Sequence, residues 1–264
     1  MLIIGEKINS SIASVAGAIE RQDKEFIQGL AVAQAKAGAD VIDVNAGAFL
    51  EREGELLPWL VAIVQEAVAL PLCIDSPSPQ ALQRALAVCR RKAIVNSISL
   101  ERDRYESILP LVKASGAAVM ALCMDDRGIP AAGAERLAVA RRLVGRLTDD
   151  GLKPADIYVD VMAQPIGTDG QAGRVALDTV AAVRSAFPGV HISCGLSNVS
   201  FGLPRRRLLN QAFAVAMATA GMDTMFIDPL DERMMALLSA TKALLGVDEY
   251  CGGYLGAYRA GRLG

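Results

Sequence analysis

Short runs rich in Val, Ile and Leu recur along this chain about every 32 residues, and that spacing leaves few folds open. The runs are Leu2–Gly5, Asp40–Val44, Leu72–Ile74, Ala93–Val95, Ala117–Cys123, Ile157–Val161, His191–Gly195 and Thr224–Ile227. Each is nearly continuous in apolar residues rather than alternating, as parallel strands covered on both faces are. Eight β/α units closing a barrel of ~250 residues need about 31 residues each. The spacing therefore predicts an α/β chain folded as a (β/α)8 TIM barrel, with residues 1–264 forming a single domain. A doubly wound open sheet is the runner-up, but no G-x-G-x-x-G follows the first run, and eight similar units favour closure.

The segments between the runs carry helix signals. Asp23 is placed to cap a helix with Phe26, Ile27, Leu30, Ala33 and Ala37 at helical spacing, and Gly38 ends it. Ser78 followed by Pro79 reads as an N-cap and first helical position, opening a helix through Leu82, Leu86 and Cys89. Gly38-Ala39-Asp40, Gly116-Ala117-Ala118 and Gly221-Met222-Asp223 repeat one junction: helix end, glycine, next strand. Pro110 is expected to kink or split its helix.

Composition enters mainly as exclusion. One histidine, His191, removes zinc triads, facial triads and paired-histidine relays. Its place at a strand start, the barrel's bottom face, argues for a structural role. With 27 Lys+Arg against 29 Asp+Glu, no basic surplus suits a nucleic-acid surface. The five cysteines form no C-x-x-C, and their odd number without an export signal points to a reducing cytoplasm. The longest apolar stretches fall well short of the ~18 residues of a membrane span. Cysteines and the Met222/Met225 and Met234/Met235 pairs read as core filler.

Barrel chemistry lies at the C-terminal strand ends. There this sequence has Glu6, Asn9, Asp43, Asn45, Asp75, Ser76, Asn96, Ser97, Asp125, Asp160, Asn198 and Asp228, a ring of acids and amides almost without cations. Any one of them could be only the N-cap of a following helix; together they argue for a site. Such a ring speaks against a sugar phosphate, and no strand core holds a lysine for a Schiff base. Two chemistries fit: a divalent cation held by three carboxylates, or a neutral heterocycle rich in N–H donors. A pterin edge is of the second kind, since a carboxylate can accept its two parallel N–H bonds. Arg205-Arg206-Arg207 after the seventh run is a solvated helix start or an anion contact.

The strand-end motifs carry a resemblance. Gly5-Glu6-Lys7-Ile8-Asn9, Asp43-Val44-Asn45-Ala46-Gly47, Cys73-Ile74-Asp75-Ser76, Val95-Asn96-Ser97 and Gly195-Leu196-Ser197-Asn198-Val199-Ser200 resemble the pterin-binding methyltransferases. Within these the chain is most similar to methyltetrahydrofolate:corrinoid/iron–sulfur protein methyltransferase and related tetrahydrofolate–corrinoid protein methyltransferases. The resemblance runs from Met1 to about Tyr254. It implies that Asp75, Asn96 and Asp160 anchor the pterin ring and that Asn198 approaches N5, as the catalytic group. Glu6, Asn9, Asp43, Asn45, Ser197, Arg205 and Arg207 are further candidates for substrate contact. No role is carried to Phe201, where some relatives hold a polar residue.

The implied reaction moves a methyl group between N5 of tetrahydrofolate, or 5-methyltetrahydrofolate, and the cobalt of a corrinoid (cobalamin). His191 lies outside any Asp-x-His-x-x-Gly motif, so the corrinoid is expected on a separate partner protein. No bound metal is expected. A homodimer is implied by the resemblance alone. The alternatives are a dihydropteroate-synthase-like pterin enzyme, whose first-strand motif differs from Gly5–Ser10, and a non-catalytic folate-binding barrel.

Overall fold

The structure, a computed structural model, describes residues 1–263. Eight parallel strands form the sheet: β1 (Leu2–Asn9), β2 (Val41–Asn45), β3 (Leu72–Asp75), β4 (Ile94–Leu100), β5 (Ala118–Asp125), β6 (Ile157–Asp160), β7 (His191–Ser193) and β8 (Thr224–Ile227). Their hydrogen-bonded order, β7-β6-β5-β4-β3-β2-β1-β8, is sequential around a (β/α)8 barrel. Ten helices accompany the strands among the described residues: α1 (Ala13–Glu20), α2 (Lys24–Ala37), α3 (Glu53–Ala67), α4 (Pro79–Ala87), α5 (Arg102–Ser115), α6 (Gly133–Asp149), α7 (Ala172–Ala186), α8 (Arg206–Ala220), α9 (Glu232–Leu244) and α10 (Gly252–Arg259). None is long and apolar enough to cross a membrane.

The predicted runs mark every strand, and β1 and β4 outrun them furthest. β1 continues through Glu6 and Lys7 to Asn9 with a register shift against β2, and β4 continues past Val95 to Leu100 with two shifts against β5. Glu6, expected just past the end of the first strand, therefore sits within it, and Asp43 lies within β2 as its run predicts.

Two apolar layers hold the barrel. The larger packs the outer strand faces against the helices; the smaller fills the lumen with Ile4, Val41, Cys73, Ile94, Met120 and Phe226, joined by Tyr158. Strand pleating turns residues two apart to the same face. Above this apolar plug the same strands consequently present Glu6, Asp43, Asn45, Asp75, Asn96, Asp160 and Asp228.

The repeated junction has a structural purpose beyond its glycines. Gly38 and Gly221 take left-handed conformations (φ 105° and 110°), as helix ends require. The aspartates that follow pair neighbouring strands at the barrel base. Asp40 accepts Ile3 N–H at 2.8 Å, and Asp223 accepts Ile192 N–H at 2.8 Å where β7 meets β8. Asp223 also binds Arg184 and His191, at 2.8 and 3.2 Å, and the His191 ring stacks on Tyr158 at 4.6 Å. The structural reading of His191 stands.

Asp23 and Ser78 cap α2 and α4 as expected, accepting Phe26 N–H and Ala81 N–H. The buried face of α2 is nevertheless Ile27, Ala31 and Gln34, while Phe26 is exposed. Gln34 reaches inward to accept Lys7 N–H at 3.0 Å, which Gly5 permits: a Cβ there would lie 2.5 Å from Gln34 Oε1. Pro110 does not split α5. Pro110 and Glu106, whose carbonyl loses its N–H partner, both face solvent, where water can satisfy that carbonyl.

Candidate active site

A cavity of about 550 Å³ opens at the C-terminal ends of β7, β8 and β1. Glu6, Asn9, Ser197, Asn198 and Arg207 line it, as candidates drawn from the sequence, together with Lys7, Arg206, Asn210, Asp228 and Asp231. Arg205 does not line it. The chain turns through a left-handed conformation at Arg205 (φ 50°), and the two arginines behind it, in the first turn of α8, reach the cavity. The expected near absence of cations is thereby corrected. Lys7 pairs with Asp228 at 3.0 Å, and Arg206 donates to Ser197 O at 2.7 Å and Ser200 Oγ at 3.1 Å. Sequence reasoning missed Lys7 because strand residues alternate and its strand was taken to end at Gly5.

Asp75, Asn96 and Asp160 are not among the cavity walls. β3 and β4 stand across the barrel from β7 and β8, so Asp75 and Asn96 lie on the far side of the mouth, whereas Asp160 ends β6 next to β7, in register with Ser193. Asp75 and Asn96 are register neighbours, and Asn45 pairs with Asp75 in the same layer. Asn45 Nδ2 donates to Asp75 Oδ2 at 2.9 Å, while its Oδ1 accepts Ser10 Oγ at 2.8 Å and Gly47 N–H at 3.0 Å. Asn45 thus orients Asp75 and has little capacity left for a ligand.

Burial dominates the electrostatics here. It raises the Asp75 carboxyl, against the opposing pull of the Asn45 amide and Arg104. It pushes Asp43 well above the usual carboxylate range, Asp75 adding repulsion, and Asp43 Oδ1 has no partner among the described residues. Asp160 is pushed up to about 6 by burial, moderated by the main-chain N–H groups of Met162 and Gly195. Its Oδ1 accepts Met162 N–H at 2.7 Å. Glu6 is raised by burial and by Asp228. Asp125 differs: Arg127 and Arg142 engage it, and it lies well below the usual range. This ion pairing removes Asp125 from the predicted ring.

Asn198 lies on the short 3-10 turn Leu196–Ser200 after β7. Its side chain is exposed to the cavity and its amide makes no hydrogen bond among the described residues. A donor left unpaired in open space costs little, and it is free to meet a ligand. No three His, Cys, Asp or Glu side chains among the described residues converge to hold a metal ion.

Residues 6–228 match the family described as pterin binding enzyme. The chain belongs to that family. As a pterin binding enzyme, it is 40% identical to the methylcorrinoid:tetrahydrofolate methyltransferase of Eubacterium limosum, over 100% of this chain and 98% of that one. It is also 27% identical to methionine synthase of Mycobacterium tuberculosis over 86% of its length, but spans only 20% of that protein. Among solved structures, dihydropteroate synthase of Xanthomonas albilineans in complex with 7,8-dihydropteroate superposes with a TM-score of 0.68. That pair shares 18% identity over 94% of each chain, a likeness of fold.

Proposed function

We propose that this pterin binding enzyme moves a methyl group between N5 of tetrahydrofolate and the cobalt of a corrinoid carried on a separate protein. The observation that carries the proposal is the end-to-end 40% identity to a methylcorrinoid:tetrahydrofolate methyltransferase. The open mouth agrees with it, since a second protein must bring its corrinoid beside the folate.

In this reading Asp75 and Asn96 hold one edge of the pterin from the far side of the mouth, and Asp160, beside β7, holds another. N5 then points toward Asn198, and the remainder of the folate lies along the cavity, beside Lys7 and Arg207. The corrinoid serves as methyl carrier in one direction and as nucleophile in the other. When the methyl group reaches N5 of tetrahydrofolate, that nitrogen gives up its proton; in reverse, N5 gains one as its bond to carbon breaks. An amide has no accessible pKa, so Asn198 strengthens a hydrogen bond to N5 in the transition state while water carries the proton.

The partner's landing surface is the rim outside the cavity. Phe201, Leu208 and Leu230 are exposed there beside Arg205, Arg206 and Arg207, an apolar and cationic combination suited to an acidic partner surface. Homodimer formation is part of the proposal; exposed Leu244, Val247, Tyr250 and Tyr258 near the C-terminus offer apolar area for it, and sedimentation tests it. The free cysteines accord with a reducing cytoplasm.

The test mixes the protein with tetrahydrofolate and a methylated corrinoid protein and follows both the cobalt spectrum and 5-methyltetrahydrofolate. Methyl transfer that depends on the enzyme is expected, and it persists with a chelator present. Condensation of a pterin diphosphate with p-aminobenzoate, with no methyl transfer, would replace the proposal by the synthase alternative.

A further inference from the structure

Arg104 lies in the first turn of α5, outside the walls of the cavity. Each of the three nitrogens of its guanidinium donates to a main-chain carbonyl. Nε donates to Ser97 O at 2.8 Å, Nη1 to Pro77 O at 2.6 Å and Nη2 to Ser76 O at 2.9 Å. Ser76 directly follows Asp75, and Ser97 directly follows Asn96. One rigid fork thus ties together the two backbone segments that carry those side chains. A planar guanidinium suits this task because its donors leave in fixed directions, which a lysine ammonium cannot reproduce.

The same device stands behind Asp160. Arg136 is buried, and its Nη1 donates to Val161 O at 3.1 Å and Met162 O at 2.9 Å, with Nε on Pro130 O at 2.8 Å. Neither arginine forms an ion pair among the described residues. Burial lowers the Arg104 guanidinium from its ordinary value, against the opposing pull of the Asp75, Glu101 and Glu53 carboxylates.

We propose that Arg104 is a positioning residue for pterin recognition: it holds Asp75 and Asn96 at the separation needed to read one ring, without touching that ring. The proposal rests on the assignment of Asp75 and Asn96 to the pterin. Hydrogen-bond readout fails quickly with misplacement, so the effect of losing the fork should appear in folate affinity.

Tetrahydrofolate binding to the whole protein tests this, by calorimetric titration of wild type, Arg104→Ala, Asp75→Ala and Asn96→Ala. Arg104→Ala is expected to weaken binding by ~10-fold or more, and millimolar guanidinium should restore much of it. A surface cleft of about 470 Å³ lined by Pro77, Glu101 and Arg104 itself gives that small cation access. A merely structural arginine predicts instead a lowered melting temperature that guanidinium leaves unrepaired, because millimolar guanidinium is far too dilute to change the stability of the fold. Wild-type affinity in Arg104→Ala, with loss in Asp75→Ala and Asn96→Ala, overturns the positioning role. A loss that guanidinium does not repair also overturns it. Wild-type affinity in both Asp75→Ala and Asn96→Ala instead removes the underlying pterin assignment, whatever Arg104 does. If the alanine variant does not fold, Arg104→Lys takes its place; it keeps the charge without the fork, and full affinity there overturns the proposal.

Discussion

The amide nitrogen of Asn198 lies 2.9 Å from the point where a Cβ on Gly195 would stand. The absence of a side chain at Gly195 thereby lets the Asn198 amide fold back over the turn, at the edge of the cavity.

Gly195→Ala should therefore act like an Asn198 variant. Its backbone (φ −67°, ψ 82°) accepts alanine, so the fold stands while the amide is displaced. Asn198→Ala is expected to slow methyl transfer by ~10²-fold or more, the size of a lost transition-state donor. Gly195→Ala should fall in the same direction with folate affinity little changed. Single-turnover rates check both, and a wild-type rate in either variant contradicts the role.

Asp160 makes a pH prediction. Its folded carboxyl titrates near 6, above the ordinary carboxylate value that the unfolded chain has. Between the two the folded state binds the extra proton, so this group's contribution to stability falls as pH rises through about 4 to 6. Asp160→Asn removes that penalty. The variant should be more stable than wild type by on the order of 2–3 kcal/mol at about pH 8, converging toward wild type near pH 4. It should also bind folate more weakly. Calorimetric unfolding across that range decides it; a pH-independent difference contradicts the assignment.

Arg205 tests the landing surface apart from the folate site, because it is exposed and outside the cavity walls. Arg205→Glu should raise KM for an acidic corrinoid protein by about tenfold at low salt, with tetrahydrofolate affinity unchanged. The effect should shrink as salt screens the charges. Equal KM at low ionic strength would place the partner elsewhere.

At the base of the barrel, Asp223→Ala removes the acceptor shared by Ile192 N–H, Arg184 and His191. A loss of about 2–4 kcal/mol is expected. Methyl transfer at temperatures where the variant stays folded should be unaltered, since Asp223 precedes β8 at the end opposite the site. Denaturant melts and steady-state rates report the two halves separately.

Much of the barrel was legible because its signals are local. Glycine caps, the Asp23 and Ser78 N-caps and the apolar runs each depend on a few neighbouring residues. The run of β4 did not show its own end, because Asn96, Ser97 and Ser99 break the apolar pattern while the ladder to β5 continues through register shifts. Asp125 looked like a rim acid in sequence, yet Arg142, from the helix that follows it, claims it.

By itself the sequence determined eight parallel strands, their order, and a mouth rich in acids and amides. Strand period and strand-end chemistry are written in consecutive residues. Tertiary structure decided which of those side chains share a wall: Arg206 and Arg207 in the cavity, Arg205 outside it, Asp75 and Asn96 across the mouth. It also turned Arg104 onto carbonyls 27 and 28 residues away, and Gln34 onto Lys7 N–H 27 residues away. Such contacts depend on pleat direction, on the turn before a helix and on how helices lie against the sheet, and the chain sets these only when the barrel closes.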